Sequence, residues 1–398
     1  MGEFHLDYTR KELSPKVARL GYIMLAIGLL SFVGGFAVDS LRASFNSLIS
    51  FMFLLSIGLG SIFLVALEHI AGAVWSVPFR RIAEFFGATV IASLIFAVPV
   101  WLNLHDMYHW THVEEVAKDP FLSQKAPYLN ETFFYIRTGV IIAIIMLFYT
   151  IFTRNSNKQD TVNDQSLTKS SIKFSAIFMI VFALSITIMG IDYLMSLEPH
   201  WFSTIFGVYY FAGSFWVTMA VITLAVIYMN QNGHLPKGIN KYHYYSLGGL
   251  MFAFTAFWTY IAFSQFMLIW YANIPEETFW FIPRMEGMWA VLSISLIFIH
   301  FVVPFGLLLQ RPSKMNPNRL KLAAYWILFA HFYDLYWLAM PTYNHLTGSH
   351  TPPFGFMEIG FPIFALGVLI TVFNFMAKGK NHVPVGDPKM QRAMEFHL

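Results

Sequence analysis

The chain has 398 residues, of which 57% are hydrophobic and only 12% charged, about half the charged share of an ordinary soluble domain. That composition excludes a soluble globular enzyme and turns the question to how many membrane spans there are. The absence of cysteine excludes disulfides, thiolate-held iron–sulfur clusters, covalent c-type haem and thiol redox chemistry in this chain, and the net charge of +3 matters less than where its charges fall.

The segment 1–19 is polar and basic, and the apolar run after it is long enough to span, so it reads as an uncleaved anchor rather than a signal peptide. Roughly 20 apolar residues cross about 30 Å of hydrocarbon. That rule predicts an all-α polytopic membrane domain over 20–377. Its ten spans lie near Leu20–Val38, Leu48–Ala71, Phe85–Leu102, Phe133–Phe152, Ile172–Met195, Ile205–Met229, Tyr245–Tyr271, Met288–Leu309, Leu320–Met340 and Gly355–Ala377. The loop Asp39–Ser47 is short, so the first two spans form a hairpin. Asn103–Thr132 is the longest connection and is rich in His and acids, whereas Arg154–Ser171 is polar and expected to be a flexible link. Ala272–Gly287 is acidic and aromatic, Pro341–Pro353 carries His345 and His350, and 378–398 is a polar tail.

Lys and Arg set the orientation. Of the 25, all but Arg42, Lys118, Lys125, Arg137 and Arg284 fall on one side, which is therefore read as cytoplasmic. Both ends then lie in the cytoplasm, and an even number of spans follows. The histidine-rich, acidic and aromatic loops fall on the other face, which suits an extrinsic partner. Spans two to five and six to nine run in the same directions, which allows a parallel repeat.

Ionisable groups in hydrocarbon cost about 2.5–3.5 kcal/mol each near mid-membrane on insertion scales, so each needs a reason. Glu68 and His69 sit toward the cytoplasmic end of span two, where Glu68 either admits protons or pairs with Arg80 or Arg81. Asp192 lies near the far end of span five, with Ser196 at i+4, either exchanging protons with that surface or organising the Glu198-Pro199-His200 turn. His300 is central in span eight. His331 and Asp334 are central in span nine and, at i, i+3, share a face, as a proton relay or as a packing pair. His105, His109 and His112 recur at i, i+4, i+7, a spacing that on a helix would suit zinc, but the reading favoured is an interfacial segment without metal. Haem b would need apposed histidines, usually from facing helices; only His69, His300 and His331 lie deep enough, and no span carries two well-separated histidines on one face as a two-haem bundle would need, so haem is not expected. No phosphate-binding glycine loop or serine-nucleophile arrangement stands out, and nothing points to nucleic acid.

Several segments are long enough to carry a resemblance. Gly58-Leu59-Gly60-Ser61 leads through Glu68-His69 to Ala73-Val74-Trp75-Ser76-Val77-Pro78-Phe79-Arg80-Arg81. Asp192-Tyr193-Leu194-Met195-Ser196-Leu197-Glu198-Pro199-His200-Trp201-Phe202-Ser203-Thr204 follows span five, and Tyr271-Ala272-Asn273-Ile274-Pro275-Glu276-Glu277-Thr278 precedes Trp280 and Arg284. These resemble the NrfD-like (polysulfide reductase membrane subunit) family, in particular the ActF-type subunits of bacterial alternative complex III, and the likeness covers most of the chain. The resemblance implies two four-helix bundles, about 48–195 and 205–340, plus two further helices. It implies a bacterial cytoplasmic membrane assembly that oxidises quinol and passes electrons to cytochrome c or a terminal oxidase. Its partners would be a paralogous NrfD-like subunit and outer-face iron–sulfur and multihaem cytochrome c subunits, which carry the haem c and iron–sulfur clusters. The paralogue is credited with quinol oxidation. Whether this chain holds a quinone stays open, and it is expected to bind no other cofactor. Its expected role is proton translocation or structural support, with Glu68, His69, Asp192, His300, His331 and Asp334 as path candidates.

Two other classes compete. A stand-alone proton-coupled secondary transporter would favour Gly or Pro breaks paired between its halves, and Pro99, Pro304 and Pro362 show no such pairing. A purely structural anchor would differ from the proton-path reading only in whether the buried acids and histidines titrate during turnover.

Overall fold

A computed structural model describes residues 8–162 and 164–397, so the first seven residues of the N-terminal segment and the last of the tail lie outside the described residues. Among the described residues there is no strand, and ten long helices dominate. They are α1 (Pro15–Val38), α2 (Ser40–Ala71), α3 (Val77–Leu102), α4 (Glu131–Gln159), α5 (Gln165–Tyr193), α6 (Phe206–Gln231), α7 (Lys241–Ala272), α8 (Gly287–Leu308), α9 (Pro317–Thr347) and α10 (Phe356–Ala377). Lipid offers the backbone no hydrogen-bond partners, so apolar runs of this length close their bonds internally as helices. The side chains of Asn130, Asp164, Asn240 and Asn316 accept backbone N–H groups at the starts of α4, α5, α7 and α9.

Nine of the ten helices are long and apolar enough to cross a membrane, so the chain is a polytopic helical membrane protein. The exception is α9, where ten spans were expected. At 31 residues it is long enough, but His331, Asp334 and several Tyr and Trp residues break its apolar run.

Connections are shorter than the sequence suggests. Asp39 alone separates α1 from α2, and Ser40–Ser47 is helical. The Asp39 backbone N–H closes α1 on the Gly35 carbonyl (2.9 Å), and its carboxylate accepts the Arg42 N–H (2.9 Å) and the Tyr343 hydroxyl (2.7 Å). The link expected over Arg154–Ser171 shrinks to 160–164, because α4 and α5 extend into it. The third span begins at Val77 rather than Phe85, and α9 runs to Thr347, which puts His345 on a helix rather than in a loop.

Helix α2 is the axis of the fold. It is buried along its whole apolar length and packs on α3, α5, α6, α9 and α10. Helices α2–α5 pack among themselves, as do α6–α9. Outside them α1 runs along α10, with Gly21, Gly28 and Gly35 as its buried positions; at Gly28 the Phe364 backbone leaves no room for a side chain. The tail folds back over the Lys- and Arg-rich side. Asn381 Nδ2 donates to Asp160 Oδ2 (3.1 Å), the His382 N–H donates to the Tyr8 hydroxyl (2.8 Å), and Asn240 Nδ2 donates to the Phe396 carbonyl (3.0 Å).

Candidate functional site

The buried centre gathers groups from five helices. His331 and Asp334 lie one turn apart on α9, and His300 projects from a π-helical turn, Phe298–Val302, inside α8. Such turns re-aim a side chain that a regular helix would direct elsewhere. One nitrogen of each histidine and one Asp334 oxygen all fall within 4.8 Å of one another. His300 Nε2 is 3.9 Å from Asp334 Oδ2, too far for a hydrogen bond. The Tyr209 hydroxyl on α6 donates to Asp334 Oδ1. The His300 ring stacks on Trp258 (centroids 3.5 Å apart) and Trp216 (4.1 Å). His331 Nε2 lies 3.2 Å from Ser56 Oγ on α2, and Ser56 Oγ also meets the Tyr210 hydroxyl (3.1 Å) and Ser214 Oγ (2.9 Å). Both His300 nitrogens and His331 Nδ1 have no hydrogen-bond partner, so the buried centre holds unmatched polar atoms. This trio is also the group among the described residues compact enough in His and carboxylate ligands for a metal ion.

On the Lys- and Arg-rich side, Glu68 pairs with Arg80 rather than standing free. Arg80 Nη1 is 2.8 Å from Glu68 Oε1 and 2.6 Å from Asp387 Oδ2 of the tail. Arg80 Nε is 3.6 Å from Glu84 Oε1. Arg81 reaches Glu84 (3.1 Å), Asp160 (3.1 Å) and Asn157 (2.6 Å). Two guanidiniums thus face four carboxyls, with Lys380 in electrostatic range. Burial pushes Asp387 up, but the Arg80 charge and the Lys389 backbone N–H bring it below the ordinary carboxylate range. His69 points elsewhere, toward the Phe152 ring at 6.3 Å, as an adjacent residue on a helix must.

On the opposite side, Asp192 Oδ2 pairs with Arg137 Nε at 2.8 Å, and its Oδ1 accepts the Tyr128 hydroxyl at 2.9 Å. Arg137 lies over the Tyr128 ring (3.9 Å). Ser196 donates to the Asp192 carbonyl rather than to its carboxylate (2.5 Å). The Glu198-Pro199-His200 turn is held by other groups. His200 Nε2 meets Asp119 Oδ2 (2.6 Å), Lys125 Nζ donates to the Pro199 carbonyl (2.7 Å), and Thr342 Oγ1 donates to Glu198 (3.0 Å). The His200 bond and the backbone N–H groups of Leu122 and Phe121 hold Asp119 down at about 2.

A cavity of about 770 Å³ opens on this side, lined by Glu198, His200, Arg284, Glu286, His345 and His350 among others. Arg284 is 2% exposed. It donates to the carbonyls of Trp280 (2.7 Å) and Leu338 (2.9 Å), lies 3.5 Å over the Trp280 ring, and makes no ion pair with a carboxylate among the described residues. Burial brings its pKa down to about 9 against the pull of Glu198 and Tyr209, so it stays charged at neutral pH.

The single helix face of His105, His109 and His112 that would suit zinc does not form, because the helix Leu104–Met107 ends at the extended residue Tyr108. His105 and His112 stack on each other (4.1 Å), and His109 turns to Glu115 (3.3 Å).

Sequence reasoning brought out His300, His331 and Asp334, which the fold unites, and Glu68, His69 and Asp192, which it leaves apart. It missed Ser56, Tyr209, Asp387 and the burial of Arg284 without an ion pair to a carboxylate. Tyr209 is one of 19 tyrosines and Ser56 one of many small residues, with no local pattern to single them out. No protein-family model matches the chain, and no curated protein matches it.

Proposed function

We propose that this chain is an NrfD-like, ActF-type membrane subunit of a bacterial quinol:cytochrome c (or terminal oxidase) oxidoreductase, contributing a proton path and a docking face for outer redox subunits. On this reading it has ten spans with both ends in the cytoplasm. Quinol oxidation proceeds mainly in a paralogous partner, and the haem c and iron–sulfur clusters belong to extrinsic partners. The long motifs around Glu68 and after Asp192 support the family, and the buried His300–His331–Asp334 group supports the proton path. Ionisable side chains at that depth are costly and rare, and by default point to a functional site.

The path has three levels. The Arg80–Glu68–Asp387 cluster lies at the cytoplasmic end. Ser56 and His331 lead into the central group, and Tyr209 leads out, within electrostatic reach of Arg284 in the outer cavity. Glu68 and Ser56 are twelve residues apart on one helix, about 18 Å along its axis, so this leg requires water between them. The buried Ser61 hydroxyl on that stretch has no protein partner.

The test has two parts. Purified from native membrane in mild detergent, the chain is expected to co-migrate with haem c and iron–sulfur subunits in a reduced-minus-oxidised spectrum and by mass spectrometry. A chain that purifies alone favours the transporter. In vesicles containing the assembly, Asp334→Asn or His331→Gln should lower protons released per electron while electron transfer continues. An unchanged ratio sinks the path through this centre.

A further inference from the structure

A second cavity, of about 1170 Å³, is a cleft running most of the way across the molecule between the α1–α10 pair and the α6–α9 pair. Leu20 and Met24 of α1, Leu224 of α6, Leu328 and Phe332 of α9 and Leu366 of α10 typify its walls. Nothing in the chain fills it. Its lining is predominantly apolar and gives water few partners, which suits hydrocarbon in a bilayer.

Two observations say which hydrocarbon. At the histidine-rich end, most polar lining groups are already engaged. Glu358 takes Arg42 (2.8 and 2.5 Å) and Asn46 (3.0 Å), Tyr333 meets Ser295 (2.5 Å), and Tyr336 donates to the Pro353 carbonyl (2.5 Å). The charged and phenolic groups at that end are thus taken, which leaves the exposed Thr351 hydroxyl. At the Lys- and Arg-rich end the situation reverses. The Tyr228 hydroxyl is shielded from solvent, has no side-chain partner, and has only the Ser14 backbone close by. Lys16, one turn before the lining residue Leu20, is exposed, as is Arg19 in the same turn, and neither has an acidic partner among the described residues. Lys321, one turn before the lining residue Tyr325, bonds only the neutral Gln231 amide (2.8 Å).

We propose that this cleft binds an anionic phospholipid, with an acyl chain between α9 and α10 and the phosphate at the mouth formed by Lys16, Arg19, Lys321 and Tyr228. Basic pockets between spans on this side are suited to anionic headgroups. The proposal stands independently of the proton path.

The test uses the full protein with whatever partners co-purify, delipidated and then offered an equimolar mixture of phosphatidylglycerol and phosphatidylcholine with identical chains, with retained lipid read by native mass spectrometry. Phosphatidylglycerol should be retained in preference. Lys16→Gln and Arg19→Gln should each lower its retention about fivefold and leave phosphatidylcholine unchanged, while Lys169→Gln on α5 changes neither. These exposed positions spare the fold. A photo-crosslinking residue at Leu328 should give an adduct of phospholipid mass. Equal retention of the two lipids, a preference that survives both substitutions, or a polypeptide adduct at Leu328 would each overturn the proposal, the last by showing that a partner helix covers the cleft.

Discussion

His331 of α9 meets Ser56 of α2 in the buried centre, Nε2 to Oγ at 3.2 Å. This contact joins the two halves of the chain at mid-depth, because α2 belongs to the first packed set of helices and α9 to the second. Ser56 Oγ is shared with Tyr210 and Ser214, so one hydroxyl orients three groups at once.

Ser56→Ala should therefore disturb function more than stability. Hydrogen bonds between membrane helices contribute about 0.6 kcal/mol on average, so the thermal midpoint in detergent should move little. Protons released per electron should fall, because His331 loses its link to α2. A variant with full proton release would remove Ser56 from the path.

Arg80 holds two carboxyls on one nitrogen, and its loss should be costly. Arg80→Gln leaves Glu68 and Asp387 buried without a cation, and removing one partner of a buried pair costs about 3–5 kcal/mol. Asp387→Asn should cost about 1 kcal/mol, since Arg80 keeps Glu68 and Glu84. Thermal unfolding of the two variants side by side checks the order.

Tail docking should weaken in mild acid. Burial first, and the charge of His234 second, bring His382 down to about 4, with Glu12 opposing. A histidine whose folded pKa lies below the ordinary 6.5 takes up its proton more readily when undocked. Its contribution is complete above about pH 6.5 and is lost as the pH falls toward 4. Protection against hydrogen exchange over 379–397, taken relative to the intrinsic rate at each pH, should fall between pH 7 and pH 4.5, and His382→Phe should flatten that response. Equal protection at both pH values would contradict the assignment.

The α1–α10 seam should tolerate no side chain at Gly28. A Cβ there overlaps the Phe364 backbone, and overpacking of this kind costs about 1–3 kcal/mol. Gly139→Leu is the control, because a Cβ at Gly139 meets nothing within 4 Å. Comparable losses in thermal stability at both positions would mean that the seam is not what Gly28 serves.

The sequence by itself determined the helices and their approximate spans, because hydrocarbon forces the backbone to bond within each segment and hydropathy records which segments enter it. It also determined that His331 and Asp334 share a face, since that follows from helical periodicity alone. Even so, α9 shows where composition misleads, for the buried His331 and Asp334, with several Tyr and Trp residues, make it less apolar than the other nine. What only the tertiary structure decided is partnership. Asp387 reaches Arg80 because the tail folds back, Tyr209 reaches Asp334 because α6 packs on α9, and His300 joins them because a π turn rotates it inward. Each depends on the rotation and depth of one helix against another. These are set by side-chain packing between segments far apart in the chain, which no local pattern of residues encodes.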